Sequence, residues 1–174
     1  MKAPAWILAP LLALLPLSPV PADEGNPMID YAGFERVTAE AGKLRAQRRV
    51  SEQQFLRMAA EPGTVILDTR SRSKFDRLHV KGAVHLNFSD FSEESLARLV
   101  PDKRTRILIY CNNNFDNEPA HFVGKRKEVA LNIPTFVNLH AYGYRNVYEL
   151  KPYLDIRTTK IPFAGSAALK DDDC

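Results

Sequence analysis

The chain has 174 residues, with 24 Lys+Arg against 21 Asp+Glu, a formal net charge of +3 and 45% hydrophobic content. That balance fits one folded domain and excludes a disordered or fibrous chain, and the small basic excess excludes a protein that wraps nucleic-acid phosphates. Two cysteines, Cys111 and Cys174, are too few for a disulfide-stapled miniprotein or a cysteine-built zinc site; no metal and no cofactor are expected.

In chain order, residues 1–22 carry Lys2, an apolar run from Trp6 to Leu17, and Val20-Pro21-Ala22 where a signal peptidase needs small residues. This reads as a signal peptide, since Pro10 and Pro16 interrupt a run shorter than the roughly 20 apolar residues of a membrane span. The expected mature product starts at Asp23, is periplasmic or secreted, and has no membrane contact after cleavage. In the extension 23–47, Tyr31, Phe34, Val37, Ala41 and Leu44 recur at helical spacing, which predicts an amphipathic helix that Gly33 and Gly42 weaken.

Ser51-Glu52-Gln53-Gln54 is a capping box, and Pro62-Gly63 ends the short helix that it opens. Val65-Ile66-Leu67 and Ile107-Leu108-Ile109 are apolar runs without polar alternation, as in parallel strands covered on both faces; Val84–Leu86 and Val147–Leu150 predict further strands. Helices are expected over Ser73–Leu78, over Ser92–Val100 with Ser92 as cap, and over Val129–Tyr142 with Gly143 as stop. Strand and helix alternate, which predicts an α/β domain with a mainly parallel sheet. Residues 164–174 are small and acidic and predict a flexible tail.

Val65-Ile66-Leu67-Asp68-Thr69-Arg70, then Phe75, then His79 to Leu86 through Gly82-Ala83, resemble the first signature of the rhodanese-like domain family. Ile107 to Cys111 resembles the strand that delivers that family's active cysteine, and Gly143 to Leu150 resembles its helix-to-last-strand turn. The resemblance implies a rhodanese-like domain over 48–163, built on a five-stranded, mainly parallel sheet flanked by helices. It also implies a cysteine that takes sulfane sulfur as a persulfide from a small anionic donor such as thiosulfate and hands it to a thiophilic acceptor, including a thiol-bearing protein. A cysteine at the carboxyl end of a central strand sits where open α/β sheets bind ligands.

The sequence departs from the family after Cys111. Relatives of this type place a tight loop rich in Arg, Ser and Gly there, whereas this chain has Asn112-Asn113-Asn114-Phe115-Asp116-Asn117-Glu118-Pro119 and no glycine before Gly124. Six positions after Cys111 stands Asn117, so the arginine of cysteine phosphatases is missing. Asn112, Asn113, Asn114, His121, Lys125 and Arg126 are the candidates for a substrate-binding or active-site loop, and 112–127 is expected to form a mobile lid. Asp68 and Arg70 are candidates for support near the sulfur, against a plain role in holding the loop after their strand. His79 and His85 read as structural, and the basic cluster Arg45–Arg49 as a solvated face. Two alternatives stand beside sulfur transfer: a binding module that kept the fold without the chemistry, and a thiol redox protein using Cys111 and Cys174.

Overall fold

The structure is a computed structural model that describes residues 26–168; the signal-peptide reading of 1–22 and Cys174 lie outside the described residues. Helix α1 (Tyr31–Ala46) opens on Asp30, whose carboxylate accepts the Gly33 amide at 2.7 Å. Strand β1 (Arg49–Val50) leads into α2 (Glu52–Ala59), where Ser51 and Gln54 close both halves of the expected capping box at 3.3 and 2.9 Å. Strand β2 (Val65–Asp68), helix α3 (Arg72–Arg77), and strands β3 (His79–Val80) and β4 (Val84–His85) follow. Helix α4 (Glu93–Leu99) starts on a box in which Ser92 and Ser95 serve each other, and leads to β5 (Ile107–Tyr110).

Five strands form one sheet in the order β1, β7, β5, β2, β4, where β7 is Val147–Leu150. Every pairing in it is parallel. All four residues of β5 are buried, because helices cover both faces. Successive side chains point to opposite faces. Ile107 and Ile109 therefore pack with Ala41, Leu96, Phe136 and Tyr144 under α1, α4 and the later helix α5 (Asn132–Ala141). Leu108 and Tyr110 pack with Phe55, Leu78 and Val80 on the other face.

Helix α5 starts three residues later than its sequence pattern. Lys127–Val129 make a separate 3-10 turn, and Ala130 is extended (φ −57°, ψ 130°), so the helical register begins afresh. Its end is as expected. Gly143 takes φ 88°, its amide reaches His140 O at 3.0 Å and the Tyr144 amide reaches Leu139 O at 2.9 Å, the paired bonds of a glycine-stopped helix.

Three further strands carry no pattern of their own. Strand β6 (Phe115–Asp116) pairs in parallel with β8 (Leu154–Asp155), and β9 (Phe163–Ala164) pairs antiparallel with β3. The stretch expected as a tail thus begins inside the fold. Ser166 N and Ala167 N donate to Asp76 O and Arg77 O at 3.0 and 2.8 Å, and Gly165 lies so close to Arg77 that a Cβ would meet its carbonyl oxygen at 2.4 Å. Among the described residues no helix is long and apolar enough to cross a membrane.

Candidate functional site

Cys111 follows β5 directly, at the carboxyl end of the sheet's central strand and in extended backbone (φ −147°, ψ −174°). Asn112–Asn114 then turn back over it as a 3-10 helix, closed by Asn114 N donating to Cys111 O at 3.1 Å. Cys111 is only 1% exposed. Burial pushes the thiol pKa up, while the backbone amides of Asn132, Asn113 and Leu131 around it pull it down; Glu149 pushes it up again, and the net direction is upward. Two of those amides, of the N-cap Leu131 and the first helical residue Asn132, stand at the start of α5, where helix N–H groups have no internal partner and the dipole favours negative charge.

Asn114 ties this arrangement together. Its Oδ1 accepts from Cys111 N at 2.9 Å and from Asn132 Nδ2 at 3.0 Å, and its Nδ2 donates to Leu150 O and Pro152 O at 2.8 and 3.1 Å. Asn114 thus stands in the loop beside Cys111 with its polar atoms consumed inside the fold. Asn113 is also committed, exchanging bonds with Lys125 through Nδ2 to Lys125 O at 2.7 Å and Lys125 N to Oδ1 at 2.9 Å. Asn112 Oδ1 and Asn132 Oδ1 are buried and have no hydrogen-bond partner among the described residues.

The remaining loop residues are spread out. His121 is bound through Nδ1 to Glu118 at 2.7 Å and, among the described residues, carries no hydrogen bond to Cys111. Lys125 lines a cavity of about 500 Å³ with Asn112, Asn113, Asp116, Glu118 and Tyr153. Arg126 is exposed and faces Glu128 at 3.8 Å. The segment expected as a lid is packed onto the fold. Phe115 and Phe122 are buried, with ring centroids 4.6 Å apart and 5.1 and 5.8 Å from Phe163. One residue of the loop, Asn117, takes the left-handed conformation that glycine would otherwise supply (φ 61°).

Asp68 and Arg70 do not reach the sulfur. Alternation along β2 and β5 puts Asp68 on the face of Tyr110, opposite the face that Cys111 shares with Ile109. There Asp68 accepts from Arg70 Nη2 at 2.6 Å, from the Arg70 amide at 2.9 Å and from the Tyr110 hydroxyl, while Arg70 also donates to Leu78 O at 2.6 Å and lies 4.4 Å over the Phe122 ring. The pair anchors the loop after β2, which is the plain reading of these two residues. His79 Nδ1 and His85 Nε2 engage Phe75 O and Arg70 O at 2.6 and 2.8 Å, likewise structural.

The basic cluster before β1 is not a solvated face. Arg45 donates through Nη2 to Glu149 Oε1 at 2.6 Å and through Nε to Oε2, and Arg49 stands 3.5 Å from the same carboxylate. Glu149, Asn132 and the hydroxyl pair Thr69–Thr135 at 2.9 Å are site residues that the sequence reading missed. The available signal was an acid inside the apolar strand Val-Tyr-Glu-Leu, with a basic cluster upstream to match it.

A family model for the rhodanese-like domain matches residues 51–151. Among solved structures, a Bacillus halodurans protein is 16% identical with a TM-score of 0.50, covering 77% of this chain and 87% of its own. The rhodanese-like domain of an Anabaena protein is 22% identical with a TM-score of 0.48, covering 72% and 88%. A thiosulfate sulfurtransferase from Pseudomonas aeruginosa is 18% identical with a TM-score of 0.42, covering 67% and 20%. At such identities the likeness to the Bacillus protein is one of fold. No curated protein matches the chain.

Proposed function

The chain belongs to the rhodanese-like domain family, and on that premise we propose that Cys111 carries sulfane sulfur as a persulfide. The observation that supports this most is the burial of Cys111 at the carboxyl end of the sheet's central strand, where the amides of Asn132, Asn113 and Leu131, from two separate segments, favour the anionic form. A cysteine serving as a small apolar filler needs no such donors; a thiolate or a persulfide anion does. In the reaction the Cys111 thiol loses its proton to solvent and the thiolate attacks the outer sulfur of thiosulfate. The S–S bond breaks and sulfite leaves with its electron pair. A thiolate or cyanide then attacks the terminal sulfur of the persulfide, and Cys111 is released as thiolate. Before either step, the turn Asn112–Asn114 must lift from the sulfur.

Intact mass tests the reading. The protein incubated with thiosulfate gains one sulfur atom, and Cys111→Ser gains none. The alternative, a binding module without transfer chemistry, draws on the burial of the thiol; a protein that gains no sulfur although Cys111 is alkylated in the same buffer establishes it. Export belongs to the same reading, resting on residues 1–22. Amino-terminal sequencing of material from an exporting host should begin at Asp23, and retention of Met1 refutes it.

A further inference from the structure

Glu149 is an acid at 3% exposure in the middle of an apolar strand. A carboxylate so placed is tolerable only when paired. Its partners, Arg45 at the end of α1 and Arg49 in β1, both precede the stretch 51–151 that carries the family match. The register then places this network beside the sulfur. Ile109 stands opposite Glu149 across the β5–β7 ladder, and Cys111 and Glu149 both fall on the face covered by α1 and α5. Neighbouring strands lie about 4.8 Å apart and rise about 3.3 Å per residue, which sets the two Cα atoms about 8 Å apart. From α5 and the loop the sulfur meets neutral amides, those of Asn132, Leu131 and Asn113. From β2 it meets by register Thr69, whose hydroxyl is engaged with Thr135. Glu149 is a charged side chain that acts on the thiol, and it opposes ionisation.

We propose that α1 and β1 control the ionisation of Cys111 through Glu149, with Arg45 and Arg49 as positioning residues that offset the carboxylate's field at the sulfur. The biological weight of this device rests on the persulfide reading, but its test does not. With both arginines present, the sulfur meets a carboxylate whose charge is largely matched. Without Arg45 it meets a carboxylate matched only by the more distant Arg49; without Glu149 it meets two unmatched cations. Loss of either partner alone therefore moves the thiol in opposite directions, which a general loosening of the fold does not do.

The experiment uses the full chain carrying Cys174→Ser, so that Cys111 is the thiol that titrates. Ultraviolet thiolate absorbance is followed against pH, and the same curve from Cys111→Ser is subtracted to remove tyrosinate. Arg45→Gln should raise the midpoint by about half a pH unit, Glu149→Gln should lower it by a similar amount, and the double variant should return towards the parent. Near-ultraviolet circular dichroism checks that each variant is folded. If Glu149→Gln does not fold, Arg49→Gln takes its place, with a smaller rise than Arg45→Gln because its contact is longer. Unmoved midpoints, or shifts of one sign in Arg45→Gln and Glu149→Gln, overturn the proposal. A parent protein that takes no sulfur from thiosulfate yet shows the opposed shifts refutes the persulfide reading and leaves this one standing. Sulfur uptake with unmoved midpoints refutes this one alone.

Discussion

Cys111 makes the protein's stability depend on alkaline pH in a defined direction. The fold raises its thiol pKa, first by burial and against the pull of the Asn132, Asn113 and Leu131 amides, so the folded state favours the neutral form. Below the ordinary thiol pKa of about 8.5 both states hold the proton and the contribution is whole. Above it the unfolded thiol ionises while the folded one does not, and stability falls until the pH passes the folded value. Denaturant titrations should therefore show a steeper alkaline decline for the parent than for Cys111→Ser. Tyr110, whose hydroxyl is pushed well up by burial and Asp68, acts in the same sense in both proteins and cancels from the difference. Equal slopes in the two proteins contradict this account. At this scale Cys111 was legible because a strand end is visible in sequence. Asn114 was not, since its inward turn depends on the carbonyls of Leu150 and Pro152, and those arrive from the end of β7 and just beyond it, 36 and 38 residues away.

The segment between β5 and α5 is held by side chains rather than by regular structure. Phe115 and Phe122 enter the core face of Tyr110 and Phe163, and Arg70 lies over the Phe122 ring. Phe122→Ala should cost about 3 to 5 kcal/mol, the range for deleting a buried aromatic ring. Its reach extends past stability, because the loop that roofs Cys111 loses an anchor. Alkylation of Cys111 at constant pH should be several-fold faster in this variant under conditions where it remains folded, and an unchanged rate separates the anchor from the roof. The elements themselves were readable where a local device specifies them: the Ser51 box, the apolar runs of β2 and β5, and Gly143. Strands β1, β3, β6, β8 and β9 span two residues each. Nothing so short can show a period of two, and their pairings come from partners distant in the chain.

At the scale of the molecule, the family match ends short of what the fold requires. Ala41, Val37 and Leu44 of α1 pack into the same core face as Ile109 and Phe136, and Arg45 pairs with the buried Glu149. Removing residues 26–47 uncovers that face and leaves a buried carboxylate short of its main partner, a loss of about 3 to 5 kcal/mol before any apolar exposure is added. Set against a total stability of about 5 to 15 kcal/mol, this should abolish the cooperative thermal transition seen by near-ultraviolet circular dichroism. A truncated protein that melts like the parent refutes the claim. The roof over Cys111 has a further effect, on timing. A sulfur this well covered reacts at a rate equal to its intrinsic reactivity multiplied by the fraction of molecules open at any instant, and each 1.4 kcal/mol of opening cost, about tenfold, divides that fraction by ten. The same gate that slows loading also slows leakage, so sulfur once taken up would be sheltered from casual thiols in the medium. On the proposed persulfide reading, such a protein suits safe custody of a reactive atom between encounters better than rapid turnover, with release timed by whatever lifts Asn112–Asn114.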